Sequence, residues 1–200
     1  MSTEKRKYEL KARGERQEET RRRIVEATVA LHEEVGPAMT TVAEIARRAG
    51  VQRLTVYNHF PDERELYEAC SNHWLADHPP PPLEDVFELE DPKRRIVVAL
   101  ERVYGRYEET QDMTAKVLRD RTLEPALDER VRLTIDAGLD ALADALTAGF
   151  GARGRRAADV RALARLSLDF WTWRRLRDQG LDDRGAARLM AEAIVCRAAR

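Results

Sequence analysis

From residue 24 onward, apolar side chains recur three and four positions apart, and no stretch alternates apolar with polar as a half-buried strand would. Each segment can therefore hide one stripe of a helix, and there is no sheet to receive it, so the fold class is all-α. The breakers agree with this spacing. Gly36-Pro37, Gly50, Pro79 to Pro82, the glycine-rich stretch 149–154 and Gly180 cut the chain into about nine helices. We place them near 24–35, 42–49, 53–60, 62–76, 92–107, 112–121, 125–150, 156–179 and from 182 or 183 to near the end.

Start signals are equally local. Thr41-Val42-Ala43-Glu44 reads as a capping box, with the Thr oxygen accepting an orphan N–H and the Glu reaching back. Asp62 with Glu65 reads the same way, and Pro92 behind Asp91 marks another start. The four prolines favour an extended connection over 77–90, too short to separate independent domains. The first 19 residues are charged and poor in apolar side chains, so a disordered tail is expected there.

Two short helices joined by Gly50-Val51-Gln52, behind a longer one, form a helix-turn-helix pattern. Val42, Ile45, Ala46, Val51, Val56 and Phe60 would share a small core with the first helix. One side of the third helix is then free to enter a major groove. Charge allows this without demanding it. Residues 1–60 carry twelve Lys and Arg against nine Glu, residues 61–128 nine against seventeen acids, and residues 129–200 fourteen against ten. The middle segment would repel a polyanion, and the first is the natural docking face near the start of the chain.

The stretch Thr41 to Phe60, read TVAEIARRAGVQRLTVYNHF, closely resembles the DNA-binding segment of TetR-family transcriptional regulators, and the likeness runs on through Pro61 to Leu66. The resemblance implies a DNA-binding domain over 20–66 and a larger helical ligand-binding and dimerisation domain over 67–200. It implies that Thr41 holds a DNA phosphate at a helix N-terminus. It implies that Gln52, Arg53, Leu54 and Thr55 read base edges, Arg53 on guanine and Leu54 on a thymine methyl. It places Tyr57 and His59 on the backbone, and Asn58 on the groove or backbone. Two positions depart from the family: Glu63 stands where a phosphate-binding Lys is common, leaving Arg64 as its substitute, and Ala43 offers a base only van der Waals contact.

The same resemblance implies a small-molecule cavity, for which Trp74, Tyr104, Tyr107 and Phe170 are the candidates, and a homodimer. Leu189, Met190, Ala193 and Ile194 are the candidate dimer stripe on the last helix. The expected partners are operator DNA, an effector of unspecified identity and a second copy, and the expected mode is repression relieved by the effector. The alternative is an all-helical binding protein or enzyme using the same cavity. We find no phosphate loop, nucleophile elbow or paired carboxylates, and expect neither catalysis nor a cofactor. Cys70, His73 and His78 lie close in sequence, but a buried Cys and ordinary His account for them, so no metal site is expected. Two distant cysteines, no apolar leader and no run of about 18 apolar residues suit a cytoplasmic protein with no membrane segment.

Overall fold

The computed structural model describes residues 3–199, with side-chain surroundings for 7, 8 and 10–199. The α-helices are α1 (Thr3–Glu34), α2 (Val42–Ala49), α3 (Arg53–His59), α4 (Glu63–Asp77), α5 (Pro92–Asp120), α6 (Pro125–Val131), α7 (Ala137–Thr147), α8 (Gly154–Ser167), α9 (Phe170–Asp178) and α10 (Asp183–Ala199). A π-helical turn, Arg132–Asp136, joins α6 to α7 without interrupting the rod, so the ten segments make nine rods. No strand occurs among the described residues.

Four boundaries differ from the sequence reading, each for a local reason. The expected disordered tail is helical from Thr3, because its Glu, Lys, Arg and Ala residues are good helix formers and Lys11 pairs with Glu15 at i,i+4. The helices expected at 92–107 and 112–121 are one, since no helix-breaking proline lies between them. The helix expected over 125–150 carries the π turn and ends in a 3₁₀ turn at Ala148–Phe150. The helix expected over 156–179 is two, because Asp169 breaks it and caps α9 by accepting the Thr172 N–H at 2.9 Å.

The chain folds as two compact units. One holds residues through His78 together with Lys116–Arg130, and the other holds Pro79–Ala115 and Val131–Arg200. The boundary expected at 66/67 thus falls inside α4, all of which groups with the N-terminal helices.

In the first unit, α1 packs on α2 and α4. Ile24, Ala27 and Leu31 of α1 meet Ile45, Ala46 and Ala49 of α2, Val56 of α3, Phe60 and Cys70. The turn after α1 is held from the end of α5. Asp120, almost fully buried, accepts the Ala38 N–H at 3.0 Å and is gripped by Arg119 at 2.6 Å. Gly36 passes beside this pair with φ of 95°, and a Cβ there would lie 2.5 Å from the Asp120 Oδ2. Burial pushes the Asp120 carboxyl up, but Arg119, the Ala38 N–H and His32 outweigh it and hold the carboxyl below its ordinary value. His32 itself is buried against Tyr67, ring centroids 5.8 Å apart.

In the second unit, α10 lies along α8, and α8 along α7. Ala186, Ala187, Ala191 and Ile194 face inward on α10, and the small side chains among them allow close helix approach. Opposite-charge pairs cover the outside: Arg161 with Asp144, Arg165 with Asp140 and Asp136, Arg177 with Glu108 and Asp183. No helix among the described residues is long and apolar enough to cross a membrane.

Candidate DNA-binding surface

The α2–α3 elbow is built by caps. Thr41 sits extended at the N-cap of α2 and its hydroxyl accepts the Glu44 N–H at 3.2 Å. The reciprocal arm of the expected capping box is not made, because the Glu44 carboxylate turns to Arg47 one turn on. Gly50 closes α2 in the left-handed region, φ 66° and ψ 39°, which only Gly adopts without strain. Val51 N–H then reaches back to the Ala46 carbonyl at 2.9 Å, fixing the angle at which the chain enters α3.

Helix α3 has only seven residues, and burial of Val56, with Phe60 just beyond its end, holds it down. Its other side is open. Arg53, Leu54, Tyr57 and Asn58 are exposed, with Gln52 at the N-cap; Leu54 is 65 % exposed and Tyr57 54 %. Thr55 and His59 are half-buried at the edges of this face, and Thr41 is exposed. Arg53 has no hydrogen-bond or ion-pair partner among the described residues. A cation, amides, a phenol and an uncovered leucine thus share one narrow convex face. These are groups able to meet phosphates, base edges and a methyl together.

Arg64, the expected substitute for a phosphate contact at position 63, is engaged by Glu129 at 2.7 Å. The sequence reading assigns no role to Arg21 and Arg23. Arg21 donates to the His59 carbonyl at 3.2 Å, Arg23 to the Ala49 carbonyl at 3.0 Å, while Arg22 between them pairs with Glu19 and Glu26 on its own helix. The run of three arginines is plain in the sequence, but three consecutive positions point in three directions on a helix, and their partners lie far along the chain.

The aromatic residues expected to line a cavity all have packing partners. Tyr104 and Tyr107 are buried and donate their hydroxyls to the Ser167 and Leu168 carbonyls at 2.8 and 2.6 Å. Phe170 meets Tyr107 edge to face, with Trp173 beside both. Trp74 belongs to the first unit, where it stacks on His78 and its Nε1 donates to Glu33. Two surface hollows, of about 440 and 200 Å³, are lined mainly by charged side chains and by none of these four residues.

On α10 the expected dimer stripe divides. Leu189 and Ala193 are exposed and Met190 is half-buried, but Ile194 is fully buried within its own chain. Ile194 corrects the expectation: it lies three residues beyond the buried Ala191, and the two face α8 together. Burial pushes the Cys70 thiol up to about 12, which leaves it an inert core residue. No group of metal-binding side chains occurs among the described residues.

The family model for bacterial regulatory proteins of the tetR family matches residues 24–70, from Ile24 of α1 to Cys70 of α4. An HTH-type transcriptional regulator of Mycobacterium tuberculosis H37Rv is 30 % identical over 146 residues, covering 73 % of this chain and 75 % of that protein. The HTH-type transcriptional regulator TtgR of Pseudomonas putida is 42 % identical over 66 residues, 32 % of this chain and 31 % of that one. Among solved structures, a transcriptional regulator from Rhodococcus sp. Rha1 shares the fold with a TM-score of 0.59 at 22 % identity, over 88 % of this chain and 96 % of its own. NalD, the secondary repressor of the MexAB-OprM multidrug efflux pump of Pseudomonas aeruginosa, gives 0.54 at 22 % identity, over 90 % and 96 %. The elbow of α2 and α3, the order of helices and these likenesses agree: the chain belongs to the TetR family of transcriptional regulators.

Proposed function

We propose that the chain works as a homodimeric repressor whose two α3 helices enter successive major grooves, about 34–36 Å apart, and leave the operator when a small molecule binds the second unit. The observation that carries the DNA part is the outward face of α3, whose Arg53 is uncommitted and whose Leu54 and Tyr57 stand uncovered in water. Thr41 and Tyr57 hold phosphates in this reading, while Gln52, Arg53, Leu54 and Thr55 read bases, with Asn58 and His59 on the groove wall.

For the dimer, the support is that each of the packed helices α8 and α10 leaves an apolar pair one turn apart exposed, Ala162 and Leu166 on one and Leu189 and Ala193 on the other. Repression and release follow from the family resemblance. An effector that prefers the released arrangement shifts the population by its difference in affinity. A ligand that accepts a hydrogen bond from Tyr104 or Tyr107 has to displace the Ser167 or Leu168 carbonyl, whereas one that donates to the phenol oxygen does not.

The test is enrichment of a randomised DNA pool on the full-length protein, followed by affinity measurements on single-base variants of the enriched duplex. Arg53→Ala should cost about 1–3 kcal/mol and relax one base position in each half-site. Equal affinity of mutant and wild type across the variants removes Arg53 from base reading.

A further inference from the structure

Helix α3 is under two turns long, so its own hydrogen bonds cannot hold its direction. Its C-terminal turn is fastened instead from α1. The Arg21 guanidinium donates to the His59 carbonyl, the last of α3, and lies over the Phe60 ring with its carbon 4.1 Å from the centroid. A cation there also opposes the partial negative charge of the helix end. Arg23 makes the matching contact at the end of α2, on the Ala49 carbonyl beside Gly50. Two residues apart on a helix are about 200° apart around it, so α1 holds the two arms of the elbow from opposite sides.

Resting on the reading of α3 as the DNA-contacting helix, we propose that Arg21 is a positioning residue that sets the angle of α3 in the groove and touches no DNA itself. One of its N–H groups and one flat face are engaged by the protein, and it is half-buried, whereas Arg53 has no such partner among the described residues and is exposed. Base reading needs side chains aimed within a fraction of an ångström, so a loosened α3 loses sequence discrimination first. Phosphate attraction, which tolerates looser geometry, survives.

The experiment uses the full-length protein with Arg21→Ala, Arg21→Gln and Arg21→Lys variants, the duplex enriched by the wild type, and a scrambled duplex of equal length. Affinities are measured over a series of salt concentrations, with thermal unfolding to establish that each variant is folded. Arg21→Ala should bind the enriched duplex about tenfold or more weakly. Its affinity for the scrambled duplex and its slope of log affinity against log salt should match the wild type. Arg21→Gln and Arg21→Lys, which can still donate to the carbonyl, should recover part of the discrimination. A slope reduced by about one, with both duplexes weakened alike, makes Arg21 a phosphate contact and overturns the proposal. Unchanged discrimination in folded Arg21→Ala overturns it too. A wild type that enriches no sequence overturns the DNA-reading assignment, and this inference with it; loss in the variants alone can arise only if that assignment holds.

Discussion

The two units carry comparable charge and both pair much of it, but the surface of α3 in the first unit differs from the helix surfaces of the second. In the second unit, arginine after arginine lies against a carboxylate: Arg102 on Asp85, Arg161 on Asp144, Arg184 on Glu101, Arg197 on Asp159. On α3, Arg53 has no such partner among the described residues. Exposed ion pairs contribute only about 0–1 kcal/mol each, so they explain little of the second unit's stability. Their larger effect is to occupy the cations that make them. The last third of the chain is more basic than the first, fourteen Lys and Arg against ten acids, and Arg161, Arg165, Arg174, Arg177, Arg184 and Arg197 there face carboxylates, while Arg153, Arg155, Arg156, Arg175 and Arg188 have no such partner among the described residues. An uncommitted arginine alone does not mark the surface that can meet DNA; on α3 it shares one exposed face with Leu54, Tyr57 and Asn58.

Three experiments press on this contrast. The largest effect should come from Ile194→Arg, which places an unpaired charge in the core between α8 and α10. A loss of about 3–5 kcal/mol is expected, read as collapse of thermal unfolding. Leu189→Arg, on the exposed side of the same helix, should stay folded and shift sedimentation towards monomer. A folded, monomeric Ile194→Arg protein would invert the assignment of core and surface on α10.

A middle-sized effect concerns the first unit. Burial drives the His32 imidazole from its ordinary 6.5 down to about 4, and the Asp120 carboxylate pulls it only partly back. The folded-state value lies below the unfolded one, so the stabilisation is present above pH 6.5 and fades as pH falls towards 4. Roughly 2 kcal/mol should be lost between about pH 6.5 and about pH 5. Denaturant titrations of wild type and His32→Gln across that window check it, and an equally steep acid limb in the mutant discards His32 as the cause.

The smallest effect separates two roles of one residue. Thr41→Ala removes the α2 cap and should cost about 1 kcal/mol of stability. Thr41→Asp keeps a capping oxygen but sets a negative charge where a phosphate should sit. It should unfold like the wild type and bind DNA less tightly. DNA affinity unchanged in Thr41→Asp would leave Thr41 as a cap alone.

What can be read from sequence follows the same division. The elbow is legible because its instructions are local: Thr41, Gly50 and Asp62 each act on neighbours within a turn, and the alternation of buried Val56 and Phe60 with exposed Leu54 and Tyr57 is set by helical spacing. Even there Glu44 chooses Arg47 over the backbone, a competition between two nearby partners that spacing does not decide. The second unit is legible as helices but not as side-chain partners. Whether a tyrosine at 104 or 107 greets a ligand or a main-chain carbonyl depends on where α8 ends, and that end depends on Asp169, a cap hidden inside an otherwise continuous helical pattern. Ile194 falls on the opposite side of α10 from the one expected, because alanines and larger apolar residues cover more than one face of that helix.

The crossing of Gly36 and Asp120 carries a consequence for descent. Any side chain at 36 would meet the carboxylate at 120 and the guanidinium at 119, and its backbone angle is one that other residues adopt only with strain. The two positions are therefore not free to drift separately. A lineage can leave glycine at 36 only after the carboxylate at 120 has gone, and losing that carboxylate first frees the Ala38 N–H and slackens the turn between α1 and α2. The order of steps is one-way, so relatives with a side chain at 36 should lack the carboxylate at 120, whereas glycine at 36 is compatible with its presence or its loss.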